Sequence, residues 1–267
     1  NRFDSLESEE DLGALFQVLR SNKDKNGRHP IFTLNFVLAN PDFDKIKNSF
    51  FNEYHYELFT ETYKRYYGNR NTIFSIKQGI DDLLIYPQFH GREHLNINRW
   101  LSALRNGMPE SRLAFDNRMF GISTNITSEK RRSYLASLDY DSEDEIEDYK
   151  IILEDGLNLF EKTFNYRSES FIATNYIWPS AIEEVLANNG IKYIQGTFFH
   201  VVPVGNNENP IIKSRKLGSV NSSGQINLTR NAYFEPSLSQ IDNAVSKCIS
   251  DITAAFLLHK PAIISSH

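Results

Sequence analysis

The most informative stretch of this sequence is Ile85-Tyr86-Pro87-Gln88-Phe89-His90-Gly91-Arg92-Glu93-His94. Its apolar first half predicts a buried strand, and Gly91 predicts that the strand runs into a turn rather than into a helix. Two imidazoles four residues apart can supply half of a zinc site, which still needs a third ligand and an open position for water. The stretch therefore predicts a strand that delivers His90 and His94 to a metal site.

Other interpretations of this spacing have to be weighed. Zinc proteases of the His-Glu-x-x-His type carry the Glu second and place the motif on a helix, whereas Glu93 stands fourth here, so that class does not fit. Two of the seven histidines of the chain can also fall four apart by chance and form hydrogen bonds at a surface. A purely structural histidine pair therefore stays open beside the metal site.

The composition narrows the classes of function. The chain has 267 residues and a formal net charge of −5, which argues against the phosphate backbone of a nucleic acid as a partner. No apolar run approaches the roughly 20 residues of a membrane span. Cys248 is the only cysteine, which rules out an intrachain disulfide. Localisation stays open with a slight preference for the cytoplasm, and the sequence does not predict the oligomeric state.

Short apolar runs alternate with amphipathic helical patterns along the chain, which is typical of βα units around a parallel sheet or barrel. We expect one domain over residues 1–267, with a loop-rich insertion at about 105–141 and a polar loop over 204–223. Helices are predicted after Ser8 and over 75–84, 98–104, 141–164, 179–189 and 238–258. Strands are predicted over 31–38, 86–89, 170–176, 191–194, 225–229 and 262–265.

Candidate functional residues follow these strands, because the carboxyl ends of parallel strands direct their loops to a common opening. His90, His94 and His267 offer a metal-binding pair and a separate imidazole for proton transfer. The other polar candidates after the strands are Asn35, Asn40, Asn175, Tyr176, Gln195, Arg230, Asn231 and Glu235.

Three segments of the sequence resemble, in order, the motifs of the polysaccharide deacetylase (NodB-homology) family. They are His90-Gly91-Arg92-Glu93-His94, Ser170-Phe171-Ile172-Ala173-Thr174-Asn175-Tyr176 and Pro261-Ala262-Ile263-Ile264-Ser265-Ser266-His267. The resemblance covers most of residues 85–267 and implies a distorted (β/α)7 barrel, which we expect to be incomplete at both ends of the chain. It also implies a zinc-type metal held by an Asp and two His, here His90 and His94. By the same resemblance His267 is the general acid that protonates the leaving group.

The chain departs from the family pattern in two of its motifs. The Asp pair of the first motif has no counterpart, since Thr33-Leu34-Asn35 ends the first strand with an amide, and we expect the pair upstream of residue 1. The segment over 170–176 corresponds to the family's third motif, and in it Ile172 and Thr174 stand where the family carries Arg and Pro. Asn175, or the backbone N–H of Tyr176, is then the expected oxyanion donor.

Two functions from different classes are consistent with these residues. The first is a metal-dependent hydrolase of carbon–nitrogen bonds other than peptide bonds, which removes N- or O-acetyl groups from a polysaccharide or amino sugar. The second is a catalytically weak or inactive barrel of the same family that serves as a glycan-binding or interaction module. A carbohydrate partner is expected in both cases.

Overall fold

The computed structural model describes residues 6–68, 71–123, 133–206, 208–236 and 241–266. The contacts divide the chain into two compact units, whereas one domain is expected from the sequence. The first unit comprises Asn1–Ser137 and Ile152–Ser168, and the second comprises Leu138–Ile151 and Glu169–His267. No described helix is both long enough and apolar enough to cross a lipid bilayer.

The helices and strands alternate along most of the chain. The helices are α1 Glu9–Ser21, α2 Phe43–Asn48, α3 Phe59–Tyr67, α4 Thr72–Asp81, α5 Ile97–Arg105, α6 Pro109–Asp116, α7 Glu145–Phe164, α8 Glu183–Asn188 and α9 Ile241–Leu257. The strands are β1 Phe32–Phe36, β2 Ala39–Pro41, β3 Tyr56–Leu58, β4 Ile85–Phe89, β5 Ser170–Ile172, β6 Tyr193–Gly196, β7 Phe199–Val202, β8 Ile211–Ser214, β9 Ile226–Thr229, β10 Ala232–Tyr233 and β11 Ile264–Ser265.

The first helix begins where the sequence predicts it. Ser8 caps α1 through a reciprocal capping box, in which its Oγ accepts from the Asp11 N–H at 3.2 Å and its own N–H donates to Asp11 Oδ2 at 2.9 Å. These bonds satisfy backbone donors that the first turn of a helix leaves without partners. The apolar positions Leu12, Phe16 and Leu19 are buried, so α1 packs with one face on the first unit.

The first unit contains a parallel strand pair that leads into the histidine segment. β1 and β4 pair from Phe32 opposite Ile85 to Phe36 opposite Phe89. The predicted strands over 31–38 and 86–89 are therefore confirmed, with slightly shorter or shifted ends. Because both strands run in the same direction, the residues that follow Phe36 and Phe89 emerge at the same edge of the pair.

Close packing of α4 makes Gly79 sensitive to substitution. A Cβ atom at Gly79 would lie 2.3 Å from Cζ of the buried Phe16 and 3.0 Å from Cγ1 of Ile85. We expect Gly79→Ala to lower the free energy of unfolding by about 1–3 kcal/mol through overpacking, although Ala is the better helix former. Gly13→Ala in α1 is the matched control, because no atom lies within 4 Å of a Cβ there, and it should stabilise by about 0.5–1 kcal/mol.

Urea unfolding of the two variants checks this expectation. Equal shifts of the same sign for Gly79→Ala and Gly13→Ala would show that the contact with Phe16 is not tight.

The prediction of a loop-rich segment over 105–141 is wrong for part of that range. Residues Pro109–Asp116 form α6, and Phe115 from this helix packs on Trp100 with ring centroids 5.6 Å apart. Pro109 stands at the start of α6, where its missing N–H and fixed φ favour a helix, and Glu110 in the first turn suits the helix dipole. Residues 124–132 of this segment lie outside the described residues.

The second unit is built on three parallel strands. β5 pairs with β6 from Ser170 opposite Tyr193, and β6 pairs with β9 from Tyr193 opposite Ile226. The strand predicted over 170–176 ends at Ile172 and continues as a 3-10 turn over Thr174–Tyr176. β10 and β11 form a further parallel pair.

The polar loop predicted over 204–223 contains a strand, so that prediction is wrong in part. β8 pairs antiparallel with β7, with Val202 opposite Ile211 and Phe199 opposite Ser214. The β-branched Ile211 and Ile212 favour a strand over a loop and were outweighed in the sequence by the glycines and polar residues around them.

These elements establish a mixed α/β fold with parallel strands, as the alternating pattern predicts. Helices lie between β1 and β4 in the first unit and between β5 and β6 in the second, whereas the β7–β8 hairpin lies between β6 and β9. The closed seven-stranded barrel stays a prediction that rests on the family resemblance.

Candidate functional site

The histidine pair lies at the carboxyl end of β4 in the first unit. The N–H of His90 donates to the carbonyl oxygen of Phe36 at 2.9 Å, which extends the pairing of β1 and β4 by one residue. Gly91 follows with φ +120°, a conformation that side chains rarely allow. The strand therefore ends in the turn that the glycine predicts, and this turn places His94 beside His90.

The two imidazole rings are close enough to share one ion. Their centroids are 5.1 Å apart and their planes are inclined by 77°. Two imidazoles on a tetrahedral zinc have centroids about 5 Å apart, because each Zn–N distance is about 2.0–2.1 Å. The observed separation thus fits a shared metal, and it equally allows a ring contact without one.

His94 differs from a histidine at the surface because one of its ring nitrogens is buried. Its Nδ1 atom is buried and has no hydrogen-bond partner within the described residues. Burial lowers the pKa of His94, while backbone hydrogen bonding at His94 and Leu135 acts in the opposite direction. The ring is therefore held in the neutral form, which is the form that binds a metal. A buried nitrogen without a partner is unfavourable, and a metal ion would satisfy it.

A buried charge network supports the turn between the histidines. Arg92 donates from Nε to Glu93 Oε1 at 2.6 Å and from Nη1 to Asp155 Oδ2 at 2.8 Å. The Tyr56 hydroxyl donates to the same Asp155 oxygen at 3.0 Å, and the Arg92 guanidinium lies 4.5 Å from the Tyr56 ring centre. These side-chain bonds connect the turn between the histidines to Asp155 on α7 and, through it, to Tyr56 in β3.

Glu93 is the most strongly perturbed carboxyl group in this network. It is 3% exposed, and burial raises its pKa to about 7 against the opposing charge of Arg92. The signal in the sequence is the adjacent Arg92, because an acidic side chain is rarely buried unless a cation pairs with it. The position of Glu93 between the histidines excludes one type of protease but does not predict the network.

The helix α7 approaches the same turn closely at Gly156. A Cβ atom at Gly156 would lie 2.8 Å from Cζ of Phe89 and 3.0 Å from Cβ of Arg92. The glycine therefore allows Asp155, one residue earlier on α7, to reach Arg92. The amphipathic pattern of α7 gave no indication of this contact.

A third ligand for the histidines is not among the described residues. In the described part of the chain, no group of three His, Cys, Asp or Glu side chains could hold a metal ion. The Asp expected upstream of residue 1 stays a prediction, and so does the identity of the metal.

Within the segment over 170–176, Asn175 and Tyr176 lie in the turn that follows β5 in the second unit. Asn175 and Tyr176 both adopt positive φ, at +53° and +58°. The Tyr176 N–H donates to the carbonyl oxygen of Ala173 at 3.1 Å, which leaves the exposed Asn175 amide as the available donor of the two. His267 lies outside the described residues.

Comparison with known proteins adds little to this geometry. No family model matches the sequence, and no curated protein matches it. A solved structure, the crystal structure of the novel alpha-amylase AmyC from Thermotoga maritima, aligns at 10% identity with a TM-score of 0.33. The alignment covers 67% of this chain and 25% of the amylase, so the chain spans about a quarter of that protein's length. A similarity at this level carries no argument about fold or function.

Proposed function

We propose that this protein is a metal-dependent hydrolase that removes an N- or O-acetyl group from a polysaccharide or amino sugar. The observation that carries the proposal is the adjacent pair of imidazoles, one of which holds a buried Nδ1 without a partner in the described residues. The ordered resemblance of three segments to deacetylase motifs supports the choice of substrate and reaction. It adds a carbohydrate partner and a zinc-type metal to the proposal.

His90 and His94 are the residues of this chain that would hold the metal. A zinc ion bound there would polarise the acetyl carbonyl group and lower the pKa of a water molecule. The neutral state of His94 keeps a nitrogen lone pair available, and the Arg92, Glu93 and Asp155 network prevents the turn from separating the two rings. The third ligand in this proposal is an Asp upstream of residue 1.

Two further residues have roles in the proposed reaction. The Asn175 amide, exposed on a turn after β5, would donate a hydrogen bond to the oxygen on which negative charge develops. Tyr176 would support that turn. His267 would give a proton to the departing group, a role that comes from the family resemblance alone.

The proposal is tested by measuring metal content and acetate release together. Protein that includes the segment before residue 1 should hold about one zinc ion and release acetate from N-acetylglucosamine oligomers. The double variant His90→Ala, His94→Ala should lose the metal and at least about 100-fold of the activity. Exposed His259 after α9 provides the control, since His259→Ala should retain both properties.

The outcomes separate the two candidate functions. Metal and acetate release that survive in the double variant would contradict the proposal. Metal binding that depends on both histidines, together with glycan binding but no acetate release, would favour the catalytically inactive glycan-binding module.

A further inference from the structure

Arg230 lies in the second unit, directly after β9. Its N–H donates to the carbonyl oxygen of Gly196 at 2.8 Å, and the residue is 9% exposed. Its Nη1 donates to the hydroxyl of Tyr176 at 2.6 Å and to Oγ of Ser265 at 2.8 Å. The side chain of Arg230, which follows β9, thus contacts Tyr176 in the turn after β5 and Ser265 in β11.

This buried cation has no counter-charge within the described residues. No described carboxylate lies within ion-pair distance of Arg230, whereas Arg92 pairs with Glu93 and Arg215 pairs with Glu183. Burying a cation costs several kcal/mol unless an anion or several hydrogen bonds compensate. The guanidinium carbon of Arg230 is 5.6 Å from the Tyr176 ring centre, near the limit of a favourable cation–π contact. That contact offsets only part of the desolvation.

One edge of the Arg230 guanidinium makes no hydrogen bond to the described residues, and it has the geometry that can bind a carboxylate. Both hydrogens of Nη1 are used by Tyr176 and Ser265, so the parallel N–H groups of Nε and Nη2 remain. The described residues place no acceptor against this edge, and neither nitrogen is sealed from solvent. Two parallel N–H groups match the two oxygens of a carboxylate, which gives the strong bidentate form of the ion pair.

The turn that carries Tyr176 is strained, which is common where a protein positions a side chain for binding. Asn tolerates the left-handed conformation of Asn175, but the bulky Tyr176 at φ +58° does not adopt it readily. Such a conformation is unfavourable and persists only where the surroundings enforce it. Here the bond from Arg230 to the Tyr176 hydroxyl is one of the enforcing contacts.

We propose that Arg230, with Tyr176 and Ser265, forms a binding site for a carboxylate group. Two sources share this chemistry: a free small carboxylic acid such as acetate, and the carboxylate of an acidic sugar such as a uronic acid. The assignment concerns the second unit alone and does not depend on the metal-binding role of His90 and His94.

Calorimetric titration of the full chain at constant ionic strength tests the site. Sodium acetate, sodium glucuronate and sodium phosphate are the anionic probes, and acetamide and glucose are their neutral counterparts. We expect saturable binding of a carboxylate and none of the neutral probes. Arg230→Gln should weaken this binding at least about 10-fold, because it removes a charge-assisted bidentate contact.

Two further variants keep the test valid if Arg230→Gln fails to fold. Tyr176→Phe and Ser265→Ala each remove a single hydroxyl and should weaken carboxylate binding by a smaller factor, because they loosen the guanidinium. Arg20→Gln is the control, since Arg20 is an exposed arginine paired with Asp82. This variant should bind the carboxylate with the affinity of the wild type.

The source of the carboxylate follows from the probes. Binding of acetate and glucuronate with equal affinity assigns a small acid, and tighter binding of glucuronate assigns an acidic sugar. Absence of saturable carboxylate binding, binding of phosphate alone, or equal affinity in Arg230→Gln would overturn the proposal.

Discussion

Replacing Arg215 with Met should lower the free energy of unfolding of the full chain by about 3–5 kcal/mol. The Arg215 side chain is 12% exposed, and its partner Glu183 is buried, with 2% of its side chain exposed. Removing only one member of a buried ion pair leaves the other charge in a poorly solvating environment, and this penalty exceeds the value of an ordinary hydrogen bond. Chemical denaturation followed by circular dichroism measures the change.

Several groups lose a partner at once in this variant, which is why the expected effect is large. Arg215 donates from Nε to His200 Nδ1 at 2.9 Å and from Nη1 to Asn227 Oδ1 at 2.9 Å, and it bonds Glu183 through Nη2. Its guanidinium also lies 5.0 Å from the ring centre of Trp178. Since His200 belongs to β7 and Arg215 follows β8, the same side chain connects the β7–β8 hairpin to Glu183 at the start of α8.

A surface ion pair in the same unit provides the comparison. Lys192 pairs with Glu169 and both side chains are largely exposed, so Lys192→Met should change the free energy of unfolding by no more than about 1 kcal/mol. A double variant, Glu183→Gln with Arg215→Met, should recover part of the loss because no unpaired charge remains. A loss for Arg215→Met as small as that for Lys192→Met would show that the pair is not buried in solution.

The sequence predicts the elements whose signals are local. The capping residue Ser8, the spaced apolar positions Leu12, Phe16 and Leu19, and Gly91 after an apolar strand each act within a few residues of the feature that they predict. The first helix and the turn between the histidines can therefore be inferred from the sequence alone.

The sequence does not predict features that depend on distant residues. Arg215 reaches His200 across 15 positions and Glu183 across 32, and no periodic pattern connects them. Nothing in the sequence accordingly distinguishes His200, although it is 1% exposed and bonded on both ring nitrogens. Burial and pairing are tertiary properties, and residue type alone supplies only a prior expectation for them.

The candidate site likewise has features that the sequence predicts and features that it does not. The spacing of His90 and His94 predicts a shared metal, and their centroid separation fits one. Asp155 could not be assigned to the site from sequence, because it reaches Arg92 only through the close approach of α7 at Gly156. Likewise, Arg230 could be named as a residue after a strand, but its lack of a counter-charge among the described residues is visible only in the structure.

His200 should contribute a measurable loss of stability as the pH is lowered below about 6.5. Burial, and then the charge of Arg215, lowers the pKa of His200 to about 3. An unfolded histidine titrates near 6.5, so between these values the unfolded chain binds one proton more than the folded chain. The contribution of His200 is therefore fully present above about pH 6.5 and is lost progressively as the pH falls towards 3.

Geometry explains why His200 resists protonation. Its Nδ1 accepts from Arg215, so that nitrogen carries no proton, and its Nε2 lies 2.9 Å from the Trp178 carbonyl oxygen, to which it donates. The Trp178 ring stacks on the imidazole with centroids 3.6 Å apart. Protonation of Nδ1 would make its N–H point at the Nε–H group of Arg215, so that two donors would face each other. It would also place a second positive charge beside Arg215. Lys213 opposes the charged form as well, and only the Trp178 carbonyl favours it.

The pH profile of His200→Gln isolates this contribution from the carboxyl groups that titrate over the same range. One proton of difference corresponds to at most about 1.4 kcal/mol per pH unit, so the wild type should lose about 1–2 kcal/mol more than His200→Gln between pH 7 and pH 5. The measurement is the free energy of unfolding from urea titrations at several pH values, compared as the difference between the two profiles. His259→Gln, at an exposed position after α9, should keep the wild-type profile. Parallel profiles for wild type and His200→Gln would mean that His200 takes up its proton in the folded protein as readily as in the unfolded one, which its contacts with Arg215 and Trp178 do not allow.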